Sequence, residues 1–259
     1  MQILKGAPVA AAIRDEIKKE LEGCETKPCL AIVRVGEKQE DLSYERSALK
    51  RMSGVGIETK LFVFPADISM DDFSAEFAAI NDDPTIDGIL LFRPLPAQLN
   101  ESQIVESIAP EKDVDGFHPY NVGLLSIGKA DLKACTPAGC IELIKRSGVD
   151  ITGKKCVVVG RSNIVGKPLI QCCLRKNATV TVCHSKTKDL KKHTKDADVV
   201  IMAIGKSKFL KADMIKEGAV VIDVGINRDS EGKITGDADF DNILSKASFI
   251  TPVPGGVGP

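Results

Sequence analysis

Short apolar runs alternate with amphipathic segments along most of the 259-residue chain. Three apolar runs in the first half predict strands, because each is strand-sized and bounded by turn residues: 28–36, 58–65 and 87–96. Segments with apolar residues at helical spacing predict helices around these runs: 7–22, 41–56 and 69–82. This alternation predicts an open sheet covered by helices, so the first half is expected to form an α/β domain.

Two polar residues predict where helices of the first half begin. Ser69 and Asn100 directly precede helical segments, and their side-chain oxygens suit an N-cap. Asn100 is expected to begin a short helix that ends near Ile108. The stretch 110–123 that follows is polar, acidic and rich in turn residues, so it is predicted to be a loop.

The second half repeats the alternation after a linking helix, predicted over 136–148 with Thr136 as its cap and Pro137 at its first position. Four apolar runs predict strands: CVVVG, TVTVCH, VVIMAIG and AVVIDVG. The helices are predicted at about 166–176, 187–196 and 211–217. This order is typical of a Rossmann-type doubly wound parallel sheet. The last stretch, SFITPVPGGVGP, is rich in proline and glycine and is predicted to be a loop that lines a site.

The stretch VVVGRSNIVGKP, residues 157–168, predicts a strand, a tight glycine turn and the start of a helix. Such a turn directs backbone N–H groups and a helix N-terminus at a ligand, which suits a phosphate. Gly160 and Gly166 bound the turn, and Ser162 takes the position of the second glycine in the usual G-x-G-x-x-G fingerprint. Glycine turns also serve tight packing, so this feature alone indicates only a candidate nucleotide site.

The residues after the next strand indicate which dinucleotide is bound. In a doubly wound sheet, an acid there would bind the free ribose 2′-hydroxyl of NAD. This chain has Ser185 and Lys186 instead, with Arg161 on the neighbouring turn. Cations and a hydroxyl suit the 2′-phosphate of NADP. Either cation alone would also fit a solvated surface charge, but the two together at neighbouring strand ends favour NADP.

Further candidate ligand contacts lie elsewhere in the chain. Gly205 and Ile226 follow later strands and are placed to contact the nicotinamide half of a dinucleotide, although a packing role for Ile226 fits equally well. Tyr44 lies on the helix 41–56, where a half-buried core aromatic is the simpler reading. Asp113 and Asp115 lie in the acidic loop, which suits either turn formation or presentation of one carboxylate to a ligand.

Composition narrows the class of protein. The net charge is −1 and the pI is about 6.3, so charge gives no indication of nucleic-acid or membrane binding. No apolar run is long enough to span a membrane, and the N-terminus is typical of an amphipathic helix, not of a signal peptide. Several of the eight cysteines lie inside apolar runs and no C-x-x-C pair occurs, so we expect buried, reduced thiols, no metal site and a cytoplasmic location.

A series of motifs resembles the methylenetetrahydrofolate dehydrogenase/cyclohydrolase family in order and spacing. These are DLSYERSALK, GILLFRPLP, PEKDVDG, TPAG, VVVGRSNIVGKP, CHSKT, DVGIN and PVPGGVGP. The resemblance covers essentially the whole chain. It implies two α/β domains flanking a cleft, tetrahydrofolate derivatives and NADP as ligands, and a homodimer.

The resemblance also implies a role for each segment: 1–135 as the folate-binding catalytic domain, 136–250 as the NADP-binding Rossmann domain and 251–259 as a loop returning to the folate cleft. Tyr44, which packs on the folate, and Asp115, which accepts N–H bonds from the pterin, are the predicted catalytic residues. They are also substrate contacts, together with Phe92, Pro254, Gly255 and Gly256. The predicted cofactor contacts are Gly160, Arg161, Ser162, Ile164, Val165, His184, Ser185, Gly205 and Ile226.

Two departures from the family pattern affect the predicted activity. Bifunctional members carry a lysine four residues after the tyrosine, for hydrolysis of the methenyl ring, and a glutamine in a later strand that steadies it. Those positions are Ala48 and Phe92 here. We therefore predict an NADP-dependent 5,10-methylenetetrahydrofolate dehydrogenase with weak or absent cyclohydrolase activity. Family members also continue beyond GGVGP into another helix, whereas the given sequence stops at Pro259.

Two alternatives remain open at this point. The enzyme is fully bifunctional if Arg46, Lys50 or Arg93 substitutes for the lysine. Lys50 lies about 200° around the helix from position 48 and should face away. Arg93 is the more plausible substitute, although a guanidinium is a poor general base. The other alternative is a non-catalytic protein that binds folate or nucleotide.

Overall fold

The structure, a computed structural model, describes residues 2–229 and 231–259 and divides into two compact units. The N-terminal unit comprises Ile13–Leu124 and Ala130–Lys133. The C-terminal unit comprises the chain up to Ala12, Leu125–Lys129 and Ala134–Pro259. The start of the chain therefore groups with the second half of the sequence. The function expected of each segment stays a prediction.

The strands and helices follow one another in an α/β order. The strands are β1 Gln2–Ile3, β2 Cys29–Val35, β3 Glu58–Phe64, β4 Gly88–Leu91, β5 Lys155–Val159, β6 Thr179–Cys183, β7 Val199–Met202, β8 Val220–Asp223, β9 Asn227–Arg228, β10 Ile234–Thr235 and β11 Phe249–Ile250. The helices are α1 Gly6–Glu22, α2 Gln39–Val55, α3 Met70–Asp82, α4 Glu101–Ser107, α5 Pro119–Ser126, α6 Cys135–Arg146, α7 Gly166–Leu174, α8 Leu190–Thr194 and α9 Phe240–Leu244.

The N-terminal unit is built on a three-stranded parallel sheet in the order β3-β2-β4. The central strand β2 is apolar except for Arg34 and almost wholly buried, as expected for a strand covered on both faces. Phe73 and Phe77 of α3 pack in the larger core cluster, which includes Ala31 and Val33 of β2. Ile32 points to the other face and belongs to a separate small cluster.

The C-terminal unit contains a six-stranded, wholly parallel sheet in the order β1-β11-β8-β7-β5-β6. The predicted Rossmann-type doubly wound sheet is confirmed. The strand order reverses at β5, because the next strand, β6, is added on one side of it and the following strand, β7, on the other. The carboxyl ends of strands at such a reversal are the usual place for a ligand. Its apolar runs contain the buried thiols Cys156, Cys172, Cys173 and Cys183, none of which is in a disulfide within the described part of the chain.

Two of the predicted helix caps are confirmed. The Ser69 side chain accepts a hydrogen bond from Asp72 N–H at 3.1 Å, and the Asn100 side chain accepts one from Gln103 N–H at 3.2 Å. The cap at Thr136 was wrong.

Helix α6 begins two residues earlier than that cap implies, because Ala134 is its N-cap residue and Cys135 its first helical residue. The carbonyl of Ala134 already accepts from Ala138 N–H at 3.1 Å, so Thr136 and Pro137 both lie within the first turn. Proline is tolerated there because an N–H in the first turn has no intrahelical partner.

Three other sequence predictions need correction. The stretch 110–123 is not all loop: it contains the 3-10 turn Pro110–Lys112 and the start of α5. The predicted helix 211–217 is only the 3-10 turn Ala212–Met214, because Leu210 forms a bridge with Ala238 beside it. The last stretch is not all loop either, since β11 pairs with β8 and β1.

Candidate active site

The glycine turn after β5 packs against the end of β7. Gly160 has φ +137°, and a Cβ at this position would clash with the carbonyl oxygen of Ala203. A Cβ on Gly166 would lie 2.5 Å from the carbonyl oxygen of Gly160. Both positions therefore require glycine, which brings the turn and the N-terminus of α7 close to the end of the sheet.

Ser162 gives this turn its shape. Its hydroxyl accepts hydrogen bonds from Val165 N–H at 3.1 Å and Gly166 N–H at 3.3 Å, at the start of α7. Arg161 and Ile164 are exposed beside it, and Val165 is half-buried. The exposed residues of the turn lie at the N-terminus of α7, where the helix dipole favours an anionic group such as a dinucleotide phosphate.

Arg161 and Ser185 follow neighbouring strands at the same level of the sheet. Val159 of β5 pairs with Cys183 of β6, and Gly160 N–H donates to the carbonyl of Cys183 at 2.9 Å. Each of the two candidate residues lies two positions beyond this pair. The structure thus brings the turn and the CHSKT segment together, as the prediction of a 2′-phosphate site requires.

The CHSKT segment forms a tight turn of its own. His184 N–H donates to Thr187 Oγ1 at 2.9 Å, and Lys186 N–H donates to His184 Nδ1 at 3.2 Å. His184 is half-buried, whereas Ser185 and Lys186 are exposed at the tip. The ring of His184 therefore shapes the turn that presents the hydroxyl and the ammonium group.

Gly205 and Ile226 follow the next pair of neighbouring strands. Met202 of β7 pairs with Asp223 of β8, and each candidate lies three residues further on. Ile226 exposes 73% of its surface, so it has no packing role in the core of this unit. The structure places Gly205 and Ile226 at adjacent strand ends, as a contact with one ring would require.

Sequence reasoning missed two buried carboxylates behind these loops, Asp223 and Asp237. They expose 3% and 0% of their surface, and both accept several backbone N–H groups. No local pattern identifies such residues, because Asp237 lies more than thirty positions from the loop that it holds. The available signal in the sequence is one glycine in each of the segments GDADF and DVGIN, Gly236 and Gly225, because a side chain at either position would clash with one of these carboxylates.

In the N-terminal unit, Ala48 and Phe92 lie in the same small apolar cluster with Ile32. Ala48 exposes 8% of its surface and Phe92 6%. Tyr44, one turn before Ala48 on α2, exposes 57% and packs its ring against Phe92. Tyr44 is therefore not a core aromatic.

The two acids of the KDVDGF segment differ in role. Asp113 exposes 2% of its surface, and its Oδ2 accepts from His118 N–H at 2.8 Å and Asn121 Nδ2 at 2.9 Å. This carboxylate therefore shapes the loop. Both acids line a depression together with Arg93 and Phe117. Because Asp113 already accepts from His118 and Asn121, Asp115 is the carboxylate more available to a ligand.

Burial raises the pKa of the Asp115 carboxyl to about 6; the nearby Arg93 charge opposes this rise and the Asp113 charge adds to it. The Arg93 guanidinium lies 4.3 Å from the ring centroid of Phe117, and its Nη1 is 3.3 Å from Glu101 Oε1. Arg93 is thus held by a ring and a carboxylate next to Asp115. The site combines a carboxyl whose pKa is raised by burial with a cation held in place beside it.

The loop residues Pro254, Gly255 and Gly256 pack against the start of the chain within the C-terminal unit. Gly6 N–H donates to the carbonyl of Gly255 at 2.9 Å, and Leu4 N–H donates to the carbonyl of Ile250 at 2.8 Å. The first residues of the chain therefore fix this loop. A contact of the loop with folate stays a prediction.

Among residues 2–229 and 231–259, no group of three or more His, Cys, Asp or Glu side chains is arranged to hold a metal ion. Within the same residues, no helix has the length and apolarity needed to cross a membrane.

Comparison with known proteins relates both units to one family. The model of the NAD(P)-binding domain of tetrahydrofolate dehydrogenase/cyclohydrolase matches residues 134–259, and the model of its catalytic domain matches residues 4–115. The chain is 49% identical to the bifunctional protein FolD of Agathobacter rectalis over 260 residues, which covers 99% of this chain and 93% of that protein.

Solved structures agree with this result. The bifunctional enzyme FolD of Campylobacter jejuni, a methylenetetrahydrofolate dehydrogenase/cyclohydrolase, has a TM-score of 0.95 at 42% identity, covering 100% of this chain and 93% of that one. The methylenetetrahydrofolate dehydrogenase-cyclohydrolase of Trypanosoma brucei, solved with NADP and an inhibitor, has a TM-score of 0.91 at 32% identity, covering 100% and 92%. The chain belongs to the tetrahydrofolate dehydrogenase/cyclohydrolase family.

Proposed function

We propose that this protein is an NADP-dependent 5,10-methylenetetrahydrofolate dehydrogenase with little or no cyclohydrolase activity. Its substrate would be oxidised to 5,10-methenyltetrahydrofolate. Family membership supports the dehydrogenase activity, and the trypanosomal relative was solved with NADP. The glycine turn and the Arg161–Ser185 arrangement fit a dinucleotide with a 2′-phosphate.

The proposed hydride transfer depends mainly on how the substrate and the cofactor are positioned. When bound, NADP⁺ accepts a hydride from the methylene carbon of the substrate, and the product cation is delocalised over two nitrogens. No strong base is needed, so catalysis depends on holding the reactants in the right geometry. Asp115 would accept N–H bonds from the pterin, and Tyr44 would pack on it. Arg161 and Ser185 would hold the 2′-phosphate.

The contact of Ala48 with the Phe92 cluster is the observation that carries the proposal on cyclohydrolase activity. Opening the methenyl ring requires a group that polarises water or transfers a proton. Ala48, Phe92 and Ile32 form a buried apolar cluster, and none of these side chains can do either. A lysine at position 48 would contact the ring of Phe92 instead of a polar partner, which would make its burial costly. Ala48 and Phe92 lie in one cluster, so the two departures from the family pattern remove polar groups from the same place.

The cations near this cluster are poor substitutes for a lysine at position 48. Arg46 and Lys50 are exposed on α2, whereas Ala48 is buried on the same helix. Arg93 is near Asp115, but its guanidinium is paired with Glu101 and stacked on Phe117. A paired guanidinium gives up its proton with difficulty and makes a poor general base.

The second candidate is a fully bifunctional dehydrogenase/cyclohydrolase that also produces 10-formyltetrahydrofolate. The names of relatives favour it, since proteins 49% identical to this chain are called bifunctional. In that case Arg93, held beside Asp115, is the residue to test.

A paired assay separates these functions. Purified protein is given methylenetetrahydrofolate with NADP⁺ or NAD⁺, and NADPH or NADH is followed by fluorescence. In parallel, methenyltetrahydrofolate is given alone and the decay of its absorbance is compared with the spontaneous rate. We expect reduction of NADP⁺ and decay at the spontaneous rate. Faster decay would establish the bifunctional enzyme, and no reduction of either cofactor would favour a non-catalytic binding protein.

Restoring the missing groups gives a positive control. In Ala48→Lys alone, the new ammonium group packs against Phe92 and should be costly to bury. In the double variant Ala48→Lys, Phe92→Gln, an amide replaces the ring beside it. We expect measurable methenyl hydrolysis in the double variant and less in the single one. Arg93→Met in the wild-type background tests the bifunctional alternative, which predicts that this variant loses the hydrolysis of methenyltetrahydrofolate.

We further propose that the protein is a cytoplasmic homodimer, as the resemblance implies. The absence of any nucleic-acid or membrane partner is part of the same proposal and accords with the near-neutral net charge of −1. Light scattering after size-exclusion chromatography measures the mass in solution, and a mass of one chain would contradict the dimer.

A further inference from the structure

Asp237 is fully buried and holds the loop that follows β7. Its Oδ2 accepts from the N–H groups of Ile204 and Gly205 at 2.7 and 3.1 Å. Its Oδ1 accepts from Lys206 N–H at 2.7 Å. One carboxylate therefore fixes three consecutive peptide groups at the carboxyl end of a central strand, where doubly wound sheets bind their ligands.

The same carboxylate also reaches the loop after β8. Asn227 Nδ2 donates to Asp237 Oδ1 at 3.0 Å, and Asn227 directly follows the exposed Ile226. A Cβ on Gly225 would clash with the Asp237 carboxylate, so glycine is required for this approach. Asp237 thus connects the two loops that carry Gly205 and Ile226.

Asp223 in turn fixes the backbone around Asp237. Asp223 Oδ1 accepts from Asp237 N–H at 2.9 Å and from Gly225 N–H at 3.0 Å, and its Oδ2 accepts from Ala238 N–H at 2.7 Å. A Cβ on Gly236 would clash with this carboxylate. Because its own backbone is held in this way, the Asp237 side chain is aimed at both loops with little conformational freedom to lose.

We propose that Asp237 is a positioning residue for the nicotinamide half of the cofactor. It acts by fixing the spacing between the loops of Gly205 and Ile226, which would contact that half. The inference rests on the proposed function, because the proposed function supplies the cofactor. The glycine turn and the CHSKT segment have hydrogen bonds of their own, from Gly160 N–H to the carbonyl of Cys183 and from His184 N–H to Thr187 Oγ1, so the adenosine half should bind independently of Asp237.

Comparison of two ligands tests the proposal. Adenosine 2′,5′-bisphosphate carries the adenosine half of NADP⁺ with its 2′-phosphate but no nicotinamide. In Asn227→Ala, which removes only the link to the Ile226 loop, we expect the KM for NADP⁺ to rise about tenfold, as for loss of a hydrogen bond to a charged group. The Kd for adenosine 2′,5′-bisphosphate should not change. Asp237→Asn should act in the same direction and more strongly.

Asn242→Ala is the matched control. Asn242 Nδ2 donates to Asp239 Oδ2 at 2.9 Å, which is the same kind of bond in the same unit but does not involve either loop. It should leave both ligands unaffected. An equal loss of both ligands in Asn227→Ala, or no loss of NADP⁺ in it, would overturn the proposal. If the proposed dehydrogenase activity itself were wrong, the wild-type protein would not reduce NADP⁺ at all, which distinguishes that outcome from failure of the role proposed for Asp237.

Discussion

The rings of Tyr44 and Phe92 meet at a centroid distance of 5.1 Å and an interplanar angle of 50°. Phe92 is buried, whereas Tyr44 exposes 57% of its surface. A buried ring thus supports an exposed one and leaves much of the tyrosine accessible to a ligand. This arrangement suits a packing surface for the pterin ring better than it suits a core residue.

Tyr44→Ala should weaken substrate binding with little effect on stability. Loss of the aromatic surface is expected to raise the KM for methylenetetrahydrofolate about tenfold, while the KM for NADP⁺ stays the same. The other tyrosine of the chain, Tyr120, exposes a similar 59% and provides the control. If Tyr120→Ala has the same effect on the KM for the folate, Tyr44 has no specific role. Steady-state kinetics and thermal unfolding of both variants measure this.

Arg161→Ala should affect NADP⁺ more than NAD⁺. Arg161 follows the end of β5 at the same level as the exposed Ser185, which follows β6. Its guanidinium can pair there with the 2′-phosphate of NADP⁺, a group that NAD⁺ lacks. We expect the KM for NADP⁺ to rise about tenfold or more, in line with loss of a charge-assisted hydrogen bond. Arg175→Ala, at the other end of α7, should change neither value. Equal effects of Arg161→Ala on both cofactors would remove the 2′-phosphate assignment.

The folate site should lose affinity as the pH falls through about 6. Burial raises the pKa of Asp115 to about 6, and the ionised carboxylate is the form that accepts N–H bonds from a pterin. Protonation therefore removes the acceptor, and kcat/KM for methylenetetrahydrofolate should decline on the acid side. Asp115→Asn should lower the plateau and abolish this decline. A decline that survives in Asp115→Asn would assign it to another group, such as Asp223, whose pKa burial also raises to about 6.

Arg93 should determine the pH at which kcat/KM declines on the acid side, here called the acid limb. Its charge lowers the pKa of Asp115, so Arg93→Met should move the acid limb to higher pH. Glu101→Gln is the control, because it removes the partner of Arg93 but keeps the guanidinium charge. An unchanged limb in Arg93→Met would show that the two groups are not electrostatically coupled.

Local signals in the sequence predicted most of this fold. The caps at Ser69 and Asn100 and the apolar runs of both sheets depend on neighbours within a few residues, which a sequence displays directly. The start of α6 was misplaced because Ala134 carries no capping side chain. Helix α5 was missed even though Pro119 at its first position was an available signal.

The candidate sites were predictable to the extent that they follow strand ends. The strand register brings Arg161 and Ser185 to the same level, which the alternating pattern already implied. Only the family resemblance singled out Asp115; the residues alone could not separate its role from that of Asp113, because the roles depend on which carboxylate meets Asn121 and His118. These are tertiary contacts, and the spacing of the two acids carries no information about them.

The buried ion pair between Arg34 of β2 and Glu45 of α2 should be essential to the stability of the N-terminal unit. Arg34 Nε lies 2.6 Å from Glu45 Oε2, and the side chains expose only 6% and 11%. Glu45→Ala leaves a buried guanidinium without its carboxylate, so we expect the free energy of unfolding to fall by about 3–5 kcal/mol. The double variant Arg34→Leu, Glu45→Leu should lose less, because no charge remains to be desolvated. Urea denaturation measures both, and Lys192→Ala, in the exposed pair with Asp189, should have little effect.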